Sequence, residues 1–259
     1  MKKKNSALIV LIVIFAVALI ASAGYLVYKM MAEQAAEDNY QSIRDSYVSS
    51  VDTTGETGAT DVVLVDNPID FAGLTKQNKD IYSWIEIPDT RINYPVLQSD
   101  YDDNLYLDHD VDKNYSFPGS IYSQGHNRKD YLDRVTVLYG HNMLNGTMFA
   151  DLYKFEDKKF FDSHPYFYVY TPNRKLTYEV VSVFEYDNRH IMNSFDFRDD
   201  KVFQNWIDQS QNPRSLTSNV RSDVKLDLNS KLLVLSTCVN AGDGRFLLEG
   251  VLIKDEPTK

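Results

Sequence analysis

The chain contains one cysteine, Cys238, which closes an apolar run, KLLVLSTC. A thiolate is a strong nucleophile. To work on an acyl group it needs a partner that handles protons and donors that hold the oxyanion of a tetrahedral intermediate. Five histidines are available: His109, His126, His141, His164 and His190. His141 stands at the end of a second apolar run, VLYGHNM, where Gly140 lets the chain turn and present the ring at a strand's rim. The other four lie in polar loops or at edges, the usual surroundings of exposed histidines. Cys238 is followed by VNAGDGR, a short connection that brings Arg245 to the start of the next run, RFLLEGVLI. A guanidinium beside the thiol can stabilise a thiolate or an oxyanion through charge-assisted hydrogen bonds. Each residue alone also has a plainer reading: a small buried hydrophobe, a strand-end histidine, a surface arginine. Ser236 and Thr237, just ahead of Cys238, are polar strand-end residues. One Cys and scattered His offer no metal-ligand spacing, and no cofactor is expected.

The elements that must position these residues read as mostly β. Candidate strands are YSWIEI (82–87), INYPVL (92–97), GSIYS (119–123), RVTVLYG (134–140), YFYVYT (166–171), KLTYEVVSVFEY (175–186), KLLVLSTC (231–238) and FLLEGVLI (246–253). Their number and the turn residues between them predict a closed or nearly closed barrel of about eight strands. Helical interruptions are expected in a lead-in near 67–80, around TMFADLYKF, and over 199–210, where Val202, Trp206 and Ile207 share a face.

Ahead of the barrel, Lys2, Lys3 and Lys4 precede an uncharged, apolar stretch from Asn5 to Tyr28. That is long enough to span a bilayer, which takes about 20 residues. The basic cluster predicts a cytoplasmic tail (1–5), a span (6–28) and an exported remainder. Ala21-Ser22-Ala23 also fits a signal-peptidase site, and either reading exports the protein. A polar, helix-prone stalk (32–48) and a Ser/Thr/Gly-rich linker (49–61) follow within 29–66, so the globular domain is expected over 67–259. Residues 30–259 hold 23 basic and 37 acidic side chains, a balance that argues against a nucleic-acid partner. With a single Cys, no disulfide framework supports the exported domain.

The order of GHNM around His141, LSTC ending at Cys238 and GRFLLEG from Gly244 resembles the sortase family of cysteine transpeptidases. The likeness covers roughly 67–259 plus the expected anchor, and the helical 199–210 segment with its lead-in makes it most like class B. One departure is Val234, where the family commonly has Thr; the position is expected to serve strand packing. The resemblance implies that Cys238 attacks after a Thr in a C-terminal sorting motif of a secreted protein. Arg245 would hold the oxyanion, His141 would act as general acid and base, and Ser236 and Thr237 would line the peptide groove unless their role is only that of polar strand-end residues. An amine of a peptidoglycan precursor or a pilin would then resolve the thioester, on the outer face of the membrane. Two other readings stay open on the residues alone: a secreted cysteine hydrolase using the same residues, and a non-catalytic anchored β-domain that binds a surface partner.

Overall fold

The computed structural model describes residues 2–49, 64–239 and 243–259, with side chains from Leu8 onward. Among them nine strands form one sheet, in the order β5-β1-β2-β3-β4-β8-β9-β6-β7. They are β1 (Ile81–Glu86), β2 (Asn93–Leu97), β3 (Ile121–Tyr122), β4 (Val135–Tyr139), β5 (Tyr166–Thr171), β6 (Arg174–Tyr186), β7 (Ser218–Val220), β8 (Leu232–Cys238) and β9 (Arg245–Pro257). Because β5 pairs with both β1 and β6, eight strands close into a barrel, and β7 is left outside as an appendage on β6. The eight strands are those anticipated from alternation of β-branched and aromatic residues; β7, three residues long, carries no such signal. Most pairings are antiparallel, but β4 runs parallel to β8, so the ends that carry His141 and Cys238 lie at the same rim.

Inside the barrel, Trp84, Tyr94, Phe167, Tyr178, Leu233, Leu235 and Leu248 form a fully excluded core. The outer face of β4, β8 and β9 is also apolar over much of its length, with Val135, Val137, Val234 and Leu247. It is covered by the insertion between β6 and β8, which contains α4 (Ile191–Ser194) and α5 (Asp200–Gln211). Asp199 caps α5 by accepting from the backbone N–H groups of Lys201 and Val202. The buried face of α5 is Phe203, Trp206 and Ile207; Val202, expected on that face, is only half-buried.

Before the barrel come α1 (Lys2–Tyr47) and α2 (Phe71–Gln77). The first part of α1 is long and apolar enough to cross a membrane. Its polar last turns, expected as a stalk, pack on the barrel: Tyr40 and Ile43 are buried, and the Tyr40 hydroxyl donates to the Gly119 carbonyl. The stretch read as a linker lies, apart from Ser49, outside the described residues. The TMFADLYKF segment is a 3-10 helix over Ala150–Glu156, followed by α3 (Lys158–Ser163).

Candidate active site

Cys238 is the last residue of β8 and is exposed. It pairs directly with Arg245, the first residue of β9, so both side chains leave the sheet on the same face. The Arg245 Nη1 lies 3.6 Å from Cys238 Sγ and 3.3 Å from the Gly244 carbonyl. A guanidinium at that distance favours a thiolate electrostatically and has further N–H groups to offer an oxyanion.

His141 follows β4 by two residues, and the Gly140 N–H continues the β4–β8 ladder to the Ser236 carbonyl at 3.2 Å. Gly140 serves space rather than a turn: its backbone is not left-handed, and a Cβ would lie 2.5 Å from Ile121 Cδ1 and 2.8 Å from Phe149 Cδ2. The His141 ring is held on two sides. Phe117 stacks on it at 5.9 Å between centroids, and Nε2 sits 2.8 Å from the Leu107 carbonyl. A carbonyl can only accept, so Nε2 carries a hydrogen and Nδ1 is the nitrogen left to take or give a proton.

Leu107 owes its place to Gly119, whose left-handed backbone (φ 58°) lets the chain pass where a Cβ would be 2.4 Å from the Leu107 carbonyl oxygen. His141, Cys238 and Arg245 line one cleft of about 250 Å³ with Leu107, Tyr122, Tyr139 and His190. Thus three residues 97 and 7 positions apart in sequence share one cavity.

Ser236 and Thr237 also border this cleft, and both are buried. Alternation along β8 puts Ser236 on the Cys238 face and Thr237 on the interior face with Leu233 and Leu235. Val234 is fully buried and packs in the outer layer, in agreement with a packing role. Burial raises the hydroxyl pKa values of Tyr122 and Tyr139, the nearby Arg245 opposing, so both hydroxyls stay neutral.

Of the other histidines, His190 forms part of the cleft wall. Its Nε2 lies 2.7 Å from Gln124 Oε1, and burial, followed by its neighbour His126, lowers its pKa below the usual histidine range. It is a neutral ring at physiological pH, a placement its loop sequence NRHIM does not signal. His109 and His164 are engaged elsewhere, with Leu105 and Asp108 and with Phe160 and Asp89. Among the described residues no group of His, Cys, Asp and Glu is arranged to hold a metal ion.

Residues missed in the sequence also act on this rim. The Cys238 carbonyl accepts from Asn142 Nδ2 and from the Tyr153 hydroxyl, each at 3.3 Å. Asn142 could have been suspected as the neighbour of His141. Tyr153 lies 85 residues from Cys238 and gives no local sign.

A strand-borne cysteine with an arginine across the ladder and a histidine at the adjoining strand end defines a cysteine acyl-transfer enzyme on a closed barrel. The family model for the sortase domain matches residues 85–253. Sortase B of Listeria monocytogenes is 34% identical over 183 residues, covering 70% of this chain and 72% of the relative. Sortase B of Clostridium perfringens superposes with a TM-score of 0.64 at 30% identity, over 71% of this chain and 99% of that one. A Bacillus anthracis sortase B solved in complex with AAEK1 gives 0.70 at 27% identity, over 87% and 99%. The chain belongs to the sortase family, is a cysteine transpeptidase, and is most like the class B sortases.

Proposed function

We propose that this chain is a membrane-anchored transpeptidase of the cell envelope that recognises a C-terminal sorting motif, cleaves after its Thr, and transfers the acyl group to an envelope amine. The observation that carries the reading is the Arg245 guanidinium 3.6 Å from Cys238 Sγ in the cleft that His141 also lines.

The geometry supports the following steps. The Cys238 thiolate attacks the scissile carbonyl carbon, and the Arg245 guanidinium holds the resulting oxyanion, joined by a backbone N–H near Cys238. The C–N bond then breaks. The leaving amine takes its proton from Nδ1 of the His141 imidazolium, leaving a thioester and a neutral ring. The incoming amine gives a proton back to Nδ1 as it attacks the thioester, and Cys238 is released as thiolate. Acyl bond energy is conserved, so no nucleotide is required. Ser236, on the same strand face as Cys238, contributes to the peptide groove, with Thr237 supporting it from the interior side.

The apolar part of α1 supplies the anchor, with Lys2, Lys3 and Lys4 on the cytoplasmic side and the barrel outside. Secreted proteins with a sorting motif are the acyl donors, and a peptidoglycan-precursor or pilin amine is the acceptor.

The test uses the full chain in lipid nanodiscs with quenched fluorescent peptides bearing NPxTN, LPxTG and PPxTG cores, with and without an amine acceptor. Cleavage of one core that is lost in Cys238→Ala, with a ligated product when the amine is present, is the expected result. Cleavage without ligation under any acceptor would make the enzyme a hydrolase. No cleavage by a folded chain whose Cys238 also ignores a methanethiosulfonate reagent would overturn the reading.

A further inference from the structure

The Cys238 carbonyl is the meeting point of two side chains that the transfer chemistry itself does not use. Asn142 reaches it from the residue after the catalytic histidine, and Tyr153 from the 3-10 helix that follows. Both donors are fixed by their own surroundings. Asn142 forms a backbone bridge with Met148, and the Tyr153 ring stacks on Phe246 at 4.1 Å, nearly parallel. Phe246 is the residue after Arg245, so Tyr153 touches both strands of the hairpin that carries the thiol and the guanidinium.

A peptide unit is planar, and its C=O and N–H point in opposite directions. Fixing the Cys238 carbonyl therefore fixes the Val239 N–H. That N–H donates to the Gly244 carbonyl at 3.3 Å, and the same carbonyl accepts from Arg245 Nη1 at 3.3 Å. The contacts make a closed path from Asn142 and Tyr153, through the Cys238–Val239 peptide and the Gly244 carbonyl, to the guanidinium that lies against Cys238 Sγ.

We propose that Asn142 and Tyr153 are positioning residues that clamp the Cys238–Val239 peptide and thereby hold Arg245 over the thiol. The inference rests on the roles assigned above to Cys238 and Arg245. The two donors share one acceptor, so either one alone keeps most of the orientation. Removal of both lets the peptide rotate, the terminal rung of the β8–β9 ladder loosens, and the guanidinium leaves the position where charge develops. The consequence falls on the chemical step, because neither residue is among those lining the substrate cleft.

The test compares Asn142→Ala, Tyr153→Phe and the double variant in the full chain, using the peptide that the wild type cleaves. Tyr153→Phe keeps the ring stack and removes only the hydroxyl. Each single change lowers kcat about threefold, on the order of one neutral hydrogen bond, and the double lowers it about fiftyfold, well beyond the product of the two. KM stays within about twofold, since a group that acts on the transition state leaves ground-state binding alone. In parallel, amide hydrogen exchange at Val239 is faster in the single variants and faster still in the double, with the Leu235 amide as an unchanged reference within the same strand. A double variant no worse than the product of the singles, a loss carried by KM, or unchanged Val239 exchange in the singles overturns the proposal. The exchange measurement needs no turnover and is read on the singles even if the double fails to fold. An inactive wild type would count against the proposed function, and unchanged exchange in an active enzyme against the clamp.

Discussion

The outer face of β4, β8 and β9 is one surface with two fates. Over its lower half, Val135, Val137, Val234, Leu247 and Glu249 are roofed by α5 and closed to solvent. Further along the same ladder, at the rim, Cys238 is exposed and Arg245 half-buried. Both halves hold an ionisable side chain of β9 on the same face, Arg245 and Glu249. In the open half the charge has partners and a cleft in front of it. In the roofed half the Glu249 carboxyl is fully buried, and neither oxygen has a hydrogen-bond partner. The contrast teaches that the insertion decides where on this face chemistry is possible: α5 roofs the lower half, while the residues at the start of the insertion, His190 and Ile191 among them, only wall the part left open as the cleft.

If that division is real, substitutions in the two halves must separate activity from stability. The largest effect is expected from Arg245→Ala, which lowers kcat by about 10²- to 10³-fold, the usual loss of an oxyanion donor. The thermal midpoint should hardly move, because the side chain lies at the open rim. A matching fall in stability would show that the open half is structural as well. The converse experiment is Trp206→Ala, at the centre of the roof and 2% exposed. It should cost about 3–5 kcal/mol in denaturant unfolding and leave kcat/KM of the folded fraction nearly intact.

A third way to sharpen the comparison uses pH. Burial pushes the Glu249 carboxyl up to about 7, and Ser210 and Trp206, although close, only weakly oppose this without making a hydrogen bond to it. The folded state therefore holds a proton that the unfolded chain releases near its ordinary carboxyl value of about 4.3. Stability from this group is complete below that value and is lost as pH rises through about 7, by up to about 4 kcal/mol on the alkaline side. Glu249→Gln should flatten this part of the profile and make the protein more stable than wild type above pH 8, measured by urea unfolding across pH. An unchanged profile would mean that the carboxyl is ionised and satisfied in the fold. Val234→Thr offers a milder version, because Val234 pairs with Glu249 across the ladder and the family's usual hydroxyl would face the carboxyl.

The barrel and the meeting of His141, Cys238 and Arg245 in one cleft were legible because they rest on local patterns. Alternating β-branched and aromatic runs marked eight strands, and runs that end in His, in Cys or begin with Arg placed those residues at a rim. What escaped was short or distant. Helix α4 has four residues and β7 three, too few for a period to register. Tyr40, Ile43 and Tyr47 do carry a helical spacing that marks a docked face, but the polar residues between them suggested a free stalk. The supports of the active site, Phe117, Leu107, Asn142 and Tyr153, come from loops and a 3-10 turn whose approach to the rim is set by the closed barrel. No spacing along the chain encodes that approach.

The smallest effect expected tests those supports. Phe117 covers one face of the His141 ring and is itself 44% exposed, so it adds orientation rather than bulk stability. Phe117→Ala leaves the Nε2 contact to the Leu107 carbonyl but frees the ring to rock about it. An aromatic pair of this kind is worth about 0.5–1.5 kcal/mol, so kcat should fall about three- to tenfold. Phe117→Tyr, which keeps the stack, should restore most of it. Ring motion affects proton transfer to the leaving amine more than attack by the thiolate. The loss should therefore shrink for a peptide ester, whose leaving group needs less help from an acid. Equal losses on amide and ester would place the role of Phe117 in binding the peptide, and the open half would then owe its His141 geometry to the Leu107 carbonyl alone.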